Sequence, residues 1–570
     1  MIANTTGLGW QQLLWVPPTV PYLKPAGPFA NPDLAGMTKK LVFSSWSATP
    51  TAVASLLSHD ASRRVARSET AAPRNITTTR ENVSQRLQFR RSGTDLAAMA
   101  AFLPFFPLPG LADETDPLRL AGAAGRPYDP EYAEIRFADE LTERLPKDSS
   151  ESGSKEVAAL LWQWPLMISD PKLDQALIDN VAGLSPADAI AARIHDPDSP
   201  EVGLVESASA LDEYVQEAIN VHRSRVNVDL SIVPRGLTRA TARLALHSPA
   251  NCAWRAFGRL DGDTSQVSLG GRWRAAAVLA SGLRTLFNRW ESSLILDDLY
   301  REDIPYWQKV LRYCADGNLQ SVLDEYLFHL AAVEGDSRYT DESLIGFAKR
   351  AAEALKLNPA IYKAKDPLNE GGDIDFRSRF ALRYGDTSSN ESSLRATDIL
   401  GAFNSPFWPF VLISTSVGQE GIDFHPWCHN LVHWNTPSSP VDFEQRDGRV
   451  NRFRGHAVRR NIAAQHSVAM LATGNPWRSA YQLAARDAPH GAIPGLAPDW
   501  VYPGPFSVMR DLMPYQLSVD EARIDRVKRR VAYYRLAFGQ ARQEDLVSVI
   551  AAAGVTAQDA ERWRVDLRPS

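Results

Sequence analysis

Short apolar runs that end in hydroxyl-bearing residues mark two well-separated parts of the chain. The run Lys40-Leu-Val-Phe-Ser-Ser45 reads as a buried strand that exits into serines. Thr49-Pro50 follows as a helix start, with Thr as the cap and Pro at the first helical position. That helix continues through Ala52–Leu57 and completes one strand–helix unit. The same alternation returns far downstream. A strand is predicted over 379–385, ending in Gly385, and an amphipathic helix over 393–403 with Leu394, Ile399, Leu400 and Phe403 on its apolar face. Buried strands follow at 410–414 and 430–434, a helix over 440–454, and another strand at 467–471. Strands alternating with helices predict an α/β fold built on a parallel sheet.

The expected organisation is a lobe in two pieces, 38–64 and 376–475, around a long block at 65–375. Helical periodicity over 211–223, 273–290 and 319–330 makes that block a mostly α-helical insertion, far longer than an ordinary loop. It either contacts nucleic acid or a partner, or elaborates the lobe by packing on the sheet, and both readings stay open. Residues 1–37 carry Pro17, Pro18, Pro21, Pro25, Pro28 and Pro32, which argue against helix or central strand and predict an extended linker. Residues 476–570 are expected to be a loop-rich, then helical, C-terminal tail, helical from Ser518 to about Val549.

Composition changes little. The chain is 44% hydrophobic and 23% charged, ordinary for a globular protein. A net charge of −5 gives no overall basic excess, but nucleic-acid binding needs only a local basic track. The three cysteines, Cys252, Cys314 and Cys428, form no CxxC pair, so neither a disulfide framework nor a metal site is expected. No apolar run reaches the ~18–20 residues of a membrane span, and the first ten residues lack a secretory pattern. A cytoplasmic location with no membrane partner is the expectation.

Three segments carry candidate chemistry. In Gln445-Arg-Asp-Gly-Arg-Val-Asn-Arg452, Arg449 and Arg452 stand three apart and would share one helix face. Two guanidiniums there suit either an anionic ligand with several oxygens or a solvated helix face that pairs with carboxylates, and Gly448 would let a backbone approach closely. The second segment, Ser414-Thr-Ser-Val-Gly-Gln-Glu-Gly-Ile-Asp423, opens the carboxyl edge of a parallel sheet, where such folds bind ligands. The third is the serine exit at Ser44-Ser45. Aromatic residues at Trp162, Trp164 and Trp273 suit either base stacking or a core, and the cluster at 526–530 suits either a phosphate track or a solvated helix face.

In their order, the three segments resemble motifs IV, V and VI of the superfamily-2 helicase C-terminal lobe, including its Swi/Snf-type branch. Residues 445–452 fit that family's QRxGRxxR motif VI, and Thr415, Gly421 and Asp423 fit its TxxxxxGxD motif V. The resemblance covers about 38–58 and 380–475. It implies a RecA-like lobe in which Arg449 and Arg452 act as arginine fingers on ATP and Gln445 orders the phosphate or the attacking water. Gly421, Asp423 and Gly448 would border the nucleotide, and Ser44, Ser45 and Thr415 would touch nucleic-acid phosphates, with DNA the expected polymer.

No G-x-x-x-x-G-K-[ST] phosphate loop occurs in the chain, and Leu111-Ala-Asp-Glu-Thr115 lacks the strand context of an acidic box. ATP with Mg²⁺ is therefore expected only together with a separate N-terminal helicase lobe. The reading is the C-terminal half of an ATP-dependent nucleic-acid motor. The competing reading is a non-catalytic nucleic-acid- or protein-binding module, or an inactive gene fragment.

Overall fold

The structure is a computed structural model. It describes residues 1–67, 86–87, 90–92, 95–97, 99–154, 157–168, 170–178, 204–224, 229–335, 338–365, 372–385, 396–415, 421–437, 439–487, 496–513, 520–537 and 543–563. The chain forms two compact units. One, built from 1–37, 60–358 and 467–479, is helical; the other, built from 38–59, 359–466 and 480–570, holds a parallel sheet.

In the helical unit, Leu269–Phe287 is buried over most of its length. A helix that is apolar all round belongs inside a protein. It packs against Pro249–Phe257 and Asp341–Glu353. At Gly282 the approach is close: an added Cβ would lie 3.0–3.1 Å from Leu355 and Ala352.

Residues 1–37 are not an extended linker. They make 3₁₀ turns at Ile2–Asn4, Thr6–Leu8, Trp10–Gln12 and Gly27–Ala30, and Trp15 and Val16 are fully buried. A Pro-rich segment cannot pair as a strand, so its polar groups need other partners. Side chains of 313–325 supply several of them. The Leu14 amide donates to Tyr313 Oη at 2.8 Å, the Thr19 amide to Glu325 at 2.8 Å, and the Leu23 amide to Asn318 Oδ1 at 2.6 Å. The expected linker is a core element of the helical unit.

Trp164 and Trp273 are also core. Trp273 is buried, donates from Nε1 to the Pro107 carbonyl at 3.0 Å and meets Phe106 edge to face, so neither tryptophan presents a face to a base. The segment 111–115 lies on the helix Pro109–Glu114 and its end, not on a strand.

In the sheet unit we label β1 (Lys39–Ser44), α1 (Thr49–Ala66, in this unit to His59), β2 (Ala360–Lys365), β3 (Asp373–Ser378), β4 (Ala381–Tyr384), α2 (Ala396–Phe403), β5 (Val411–Thr415) and β6 (Cys428–His433). There follow α3 (Pro440–Asp447), α4 (His456–Leu471, in this unit to His466), α5 (Pro476–Arg486, from Ala480), β7 (Met509–Leu512), α6 (Asp520–Leu536), α7 (Gln543–Ala552) and α8 (Ala557–Trp563). The order β4-β5-β1-β6-β7 is parallel throughout, and β2 and β3 form a separate antiparallel pair. Leu41 of β1 aligns with Leu412 and Leu431 on either side. Strands β1 and β6 are buried along their length, as parallel strands covered on both faces must be. The α/β class and parallel sheet therefore stand.

Two expected elements differ. Residues 467–471 form the end of helix α4, not a strand; a short apolar run does not by itself separate helix from strand. The fifth strand is instead β7, Met-Arg-Asp-Leu, whose half-exposed polar residues suit a sheet edge. The predicted helix start at 393–395 lies outside the described residues.

Lys39 joins the sheet to α2. It is fully buried, and its Nζ donates to the carbonyls of Ala402 (3.1 Å), Phe403 (3.0 Å) and Phe407 (2.5 Å). A cation at a helix C-terminus meets orphan carbonyls and the negative dipole end. Burial also pulls this ammonium well below the usual lysine value. Lys39→Met strips three carbonyls of their donor and is expected to cost about 2 kcal/mol in urea unfolding. A gain in stability would mean that the charge's desolvation outweighs its hydrogen bonds.

Candidate nucleotide and nucleic-acid edge

The carboxyl ends of the central strands bring together residues far apart in sequence. Ser44 aligns with Thr415, and Phe43 with His433. Beyond β1 the chain turns outward. Ser44 does not face solvent: it is buried, and its Oγ accepts from the Trp46 amide at 3.1 Å, capping the strand exit. The expectation that Ser44 meets a phosphate fails for that reason. Ser45 is exposed, its amide donates to Asn435 Oδ1 at 2.8 Å, and its Oγ accepts from Asn435 Nδ2. Thr415 is half-buried at the end of β5, and residues 416–420 lie outside the described set.

The arginine segment differs from a continuous helix. Helix α3 stops at Asp447, and 448–455 is a chain of turns. Arg449 and Arg452 therefore do not share a helix face. They come together through the segment 421–425 instead. The Phe424 amide donates to the Arg449 carbonyl at 2.9 Å, and the His456 amide to the His425 carbonyl at 3.1 Å. Arg449 Nη1 donates to the Ile422 carbonyl at 3.3 Å. Arg452 Nε donates to Asp423 Oδ1 at 2.9 Å in a half-exposed ion pair, and its two Nη groups have no partner among the described residues. Gln445 sits exposed in the last turn of α3.

The two glycines differ in what they require. Gly421 has φ +87°, in the region that favours glycine. Gly448 has a helical φ of −59°, and an added Cβ would lie 3.4 Å from the nearest carbonyl oxygen. Nothing in the local backbone demands glycine there.

The residues between the motif's named positions anchor it. Arg446 is buried with its guanidinium 5.1 Å from the Phe43 ring centre, and its Nη1 lies 3.0 Å from His433 Nδ1. Burial lowers Arg446 to about 10 and His433 to about 3. His433 is therefore neutral, with Nδ1 free to accept. Asp447 is buried and receives Arg510 Nε on both oxygens, at 3.0 and 2.8 Å. α3 is thus tied to β1, β6 and β7. Asn404 Nδ2 holds the Asp423 carbonyl at 2.9 Å. None of these anchors was apparent from spacing, because each partner is remote in sequence.

Behind this edge, Thr38, His429 and His456 form a buried polar group. His429 Nδ1 and His456 Nδ1 are 3.0 Å apart, and the Thr38 hydroxyl lies 3.1 Å from His456 Nδ1. Two ring nitrogens at that distance share one proton, so at least one ring is neutral. Burial lowers His429 to about 3 and His425 to about 4. Among the described residues, no group of His, Cys, Asp and Glu is arranged to hold a metal ion, and no helix is long and apolar enough to cross a membrane.

A parallel sheet whose carboxyl edge gathers hydroxyls and two arginine-bearing turns is an architecture for binding phosphate-rich ligands. Residues 375–454 match the model of the helicase conserved C-terminal domain. The match supports a helicase C-terminal domain over these residues, a kind of domain associated with helicase-type function and nucleic-acid interaction. The match runs from β3 through the arginine turns; the strand between β5 and β6 is β1, contributed from far upstream. Neither a curated protein nor a solved structure matches the chain.

Proposed function

We propose that the sheet unit is a RecA-like lobe forming the C-terminal half of an ATP-dependent helicase or translocase, and that it works together with an N-terminal ATP-binding lobe. The observation that carries this reading is the Arg452–Asp423 pair. It joins the motif VI turn to the end of motif V beside the strand edge. Arg452 is held by one nitrogen only, which leaves its fork of N–H groups for phosphate oxygens.

The donor set in this chain fits part of a nucleotide site. Arg449 and Arg452 would stabilise charge that develops on the transferred phosphoryl group, and Gln445 would orient phosphate or water. Gly421 and Gly448 would border the nucleotide, and Asp423 would keep Arg452 in place. The residues present do not fit Mg²⁺ by themselves, since the described residues offer no carboxylate cluster. A bound ATP supplies the phosphoanhydride bond to be cut; the cradle for its β- and γ-phosphates would come from the other lobe. Ser45 and Thr415 would touch the nucleic-acid backbone, positioning a strand without reading sequence, and DNA is the proposed polymer.

The test combines the full chain with a first lobe that bears a phosphate loop and an acidic box, and measures DNA-stimulated ATP hydrolysis. Arg452→Ala is expected to lower the rate about 10³-fold, the usual worth of an arginine finger. Hydrolysis unchanged in both Arg449→Ala and Arg452→Ala would remove the finger assignment and favour a binding module.

A further inference from the structure

Helix α6 is strongly basic. Over Asp520–Leu536 it holds six cations, Arg523, Arg526, Lys528, Arg529, Arg530 and Arg535, against three carboxylates, Asp520, Glu521 and Asp525, in a chain whose net charge is −5. Arg523, Arg526 and Arg530 recur at spacings of three and four, so they stand on one face. They span about 10 Å of helix axis, enough for two successive phosphates of an extended strand. All three are exposed, as are Lys528 and Arg529. Arg526 and Lys528 form no ion pair among the described residues, whereas Arg535 is paired with Glu444 at 2.8 Å. Val527 and Val531, on the neighbouring face of the helix, are buried, which fixes the helix's orientation.

The position of the helix matters as much as its charge. A cavity of about 370 Å³ is lined by Thr436, Leu512, Val527, Lys528, Val531 and Arg535, among others. Thr436 directly follows Asn435, the residue that holds Ser45, and Leu512 ends β7. Helix α6 therefore flanks the same carboxyl edge as Ser45 and Thr415. Its contact with α3 holds it beside the arginine turns.

We infer that the Arg523–Arg526–Arg530 face of α6 extends the nucleic-acid path beyond the sheet edge, binding the phosphate backbone of a strand that leaves Ser45 and Asn435. The inference rests on the nucleic-acid reading above and adds a surface outside the matched domain. Contacts of this kind neutralise phosphates and release counterions, so they appear in the salt dependence of binding.

The experiment titrates the full chain with a fluorescent oligo-dT 20-mer, and with an RNA of the same length, from 50 to 300 mM salt. The variant combines Arg523→Gln, Arg526→Gln and Arg530→Gln, exposed changes whose folding is checked by thermal unfolding. Single-stranded binding loses a slope of about 0.7 per phosphate contact. The variant is expected to flatten the log–log slope by about 1.4 and to weaken binding at least tenfold at 100 mM salt. A wild-type chain that binds with the same slope and affinity as the variant overturns this inference and leaves the motor reading intact; such a result would make the face a protein-docking surface or plain solvent. A wild-type chain that binds neither polymer overturns both.

Discussion

Removing residues 1–37 is expected to unfold the helical unit. The segment places Leu13, Leu14, Trp15, Val16 and Tyr22 in the interior, each at most 1% exposed. At about 1.5–3 kcal/mol for each buried large apolar side chain, their loss rivals the roughly 5–15 kcal/mol by which a whole domain is stable. Polar partners fall vacant as well. Tyr22 Oη donates to Asp324, which is buried and also bound by Arg259 Nη1 at 2.7 Å, and Glu325 loses both bonds from Thr19. Burying carboxylates that have lost donors adds to the cost. Limited proteolysis of the truncated full-length background should open sites between 99 and 358 that the intact chain protects. Trp15→Ala grades the effect. Its ring meets Phe29, Phe287 and Tyr313, and its Nε1 donates to the Gly317 carbonyl at 2.8 Å. Gly317 itself makes room, since a Cβ there would lie 2.7 Å from both Phe29 and Trp15. The single change should cost about 3–5 kcal/mol. Unchanged unfolding in both proteins would return the segment to the status of a linker.

That segment shows where sequence reading stops. Strands β1, β5 and β6 were legible because a strand buried on both faces is a continuous apolar run. Arg449 and Arg452 stood out in the sequence because two guanidiniums in a short segment suit an anionic ligand, although the expected helix carrying both does not form. The segment 1–37 was misread because its backbone is satisfied by side chains some 300 positions away, which no local pattern records. β7 was missed because an edge strand need not be apolar. Ser44 and Ser45 looked equivalent, yet one caps the turn and the other faces out. Arg446 and Asp447 looked like filler inside a motif, yet they fasten it to Phe43 and Arg510.

Mild acid is expected to destabilise the sheet unit strongly. His425, His429 and His433 are buried beside the arginine turns and the central strands. Burial is the leading cause of all three depressions, to about 4, 3 and 3; Arg446 and Arg510 press further on His433, and Arg459 and Arg460 on His429. Each ring is neutral when folded and titrates near 6.5 when unfolded. Between those values the unfolded chain binds more protons, so stability is fully present above pH 6.5 and falls as pH drops toward the folded values. At pH 5 each histidine forfeits about 1.5 pH units of linkage, or about 2 kcal/mol, which gives roughly 6 kcal/mol for the three. Urea unfolding followed by fluorescence, where Trp408 and Trp427 report on the sheet unit, should show this loss between pH 7.5 and 5.0. Acid also titrates His247 of the helical unit, which burial lowers to about 3, so the attribution needs a variant. His429→Gln can still hydrogen-bond His456 but cannot take up a proton in this range. It should be somewhat less stable at pH 7.5 and lose about 2 kcal/mol less on acidification. Because Arg446 meets His433 directly, protonation there puts two cations 3.0 Å apart at the root of α3. The folded ring stays neutral through this acid range, so the arginine turns should hold until the sheet opens, and the proposed activity should fall together with global unfolding. If activity falls at a higher pH than unfolding, a local opening at the α3 anchor precedes the loss of the core.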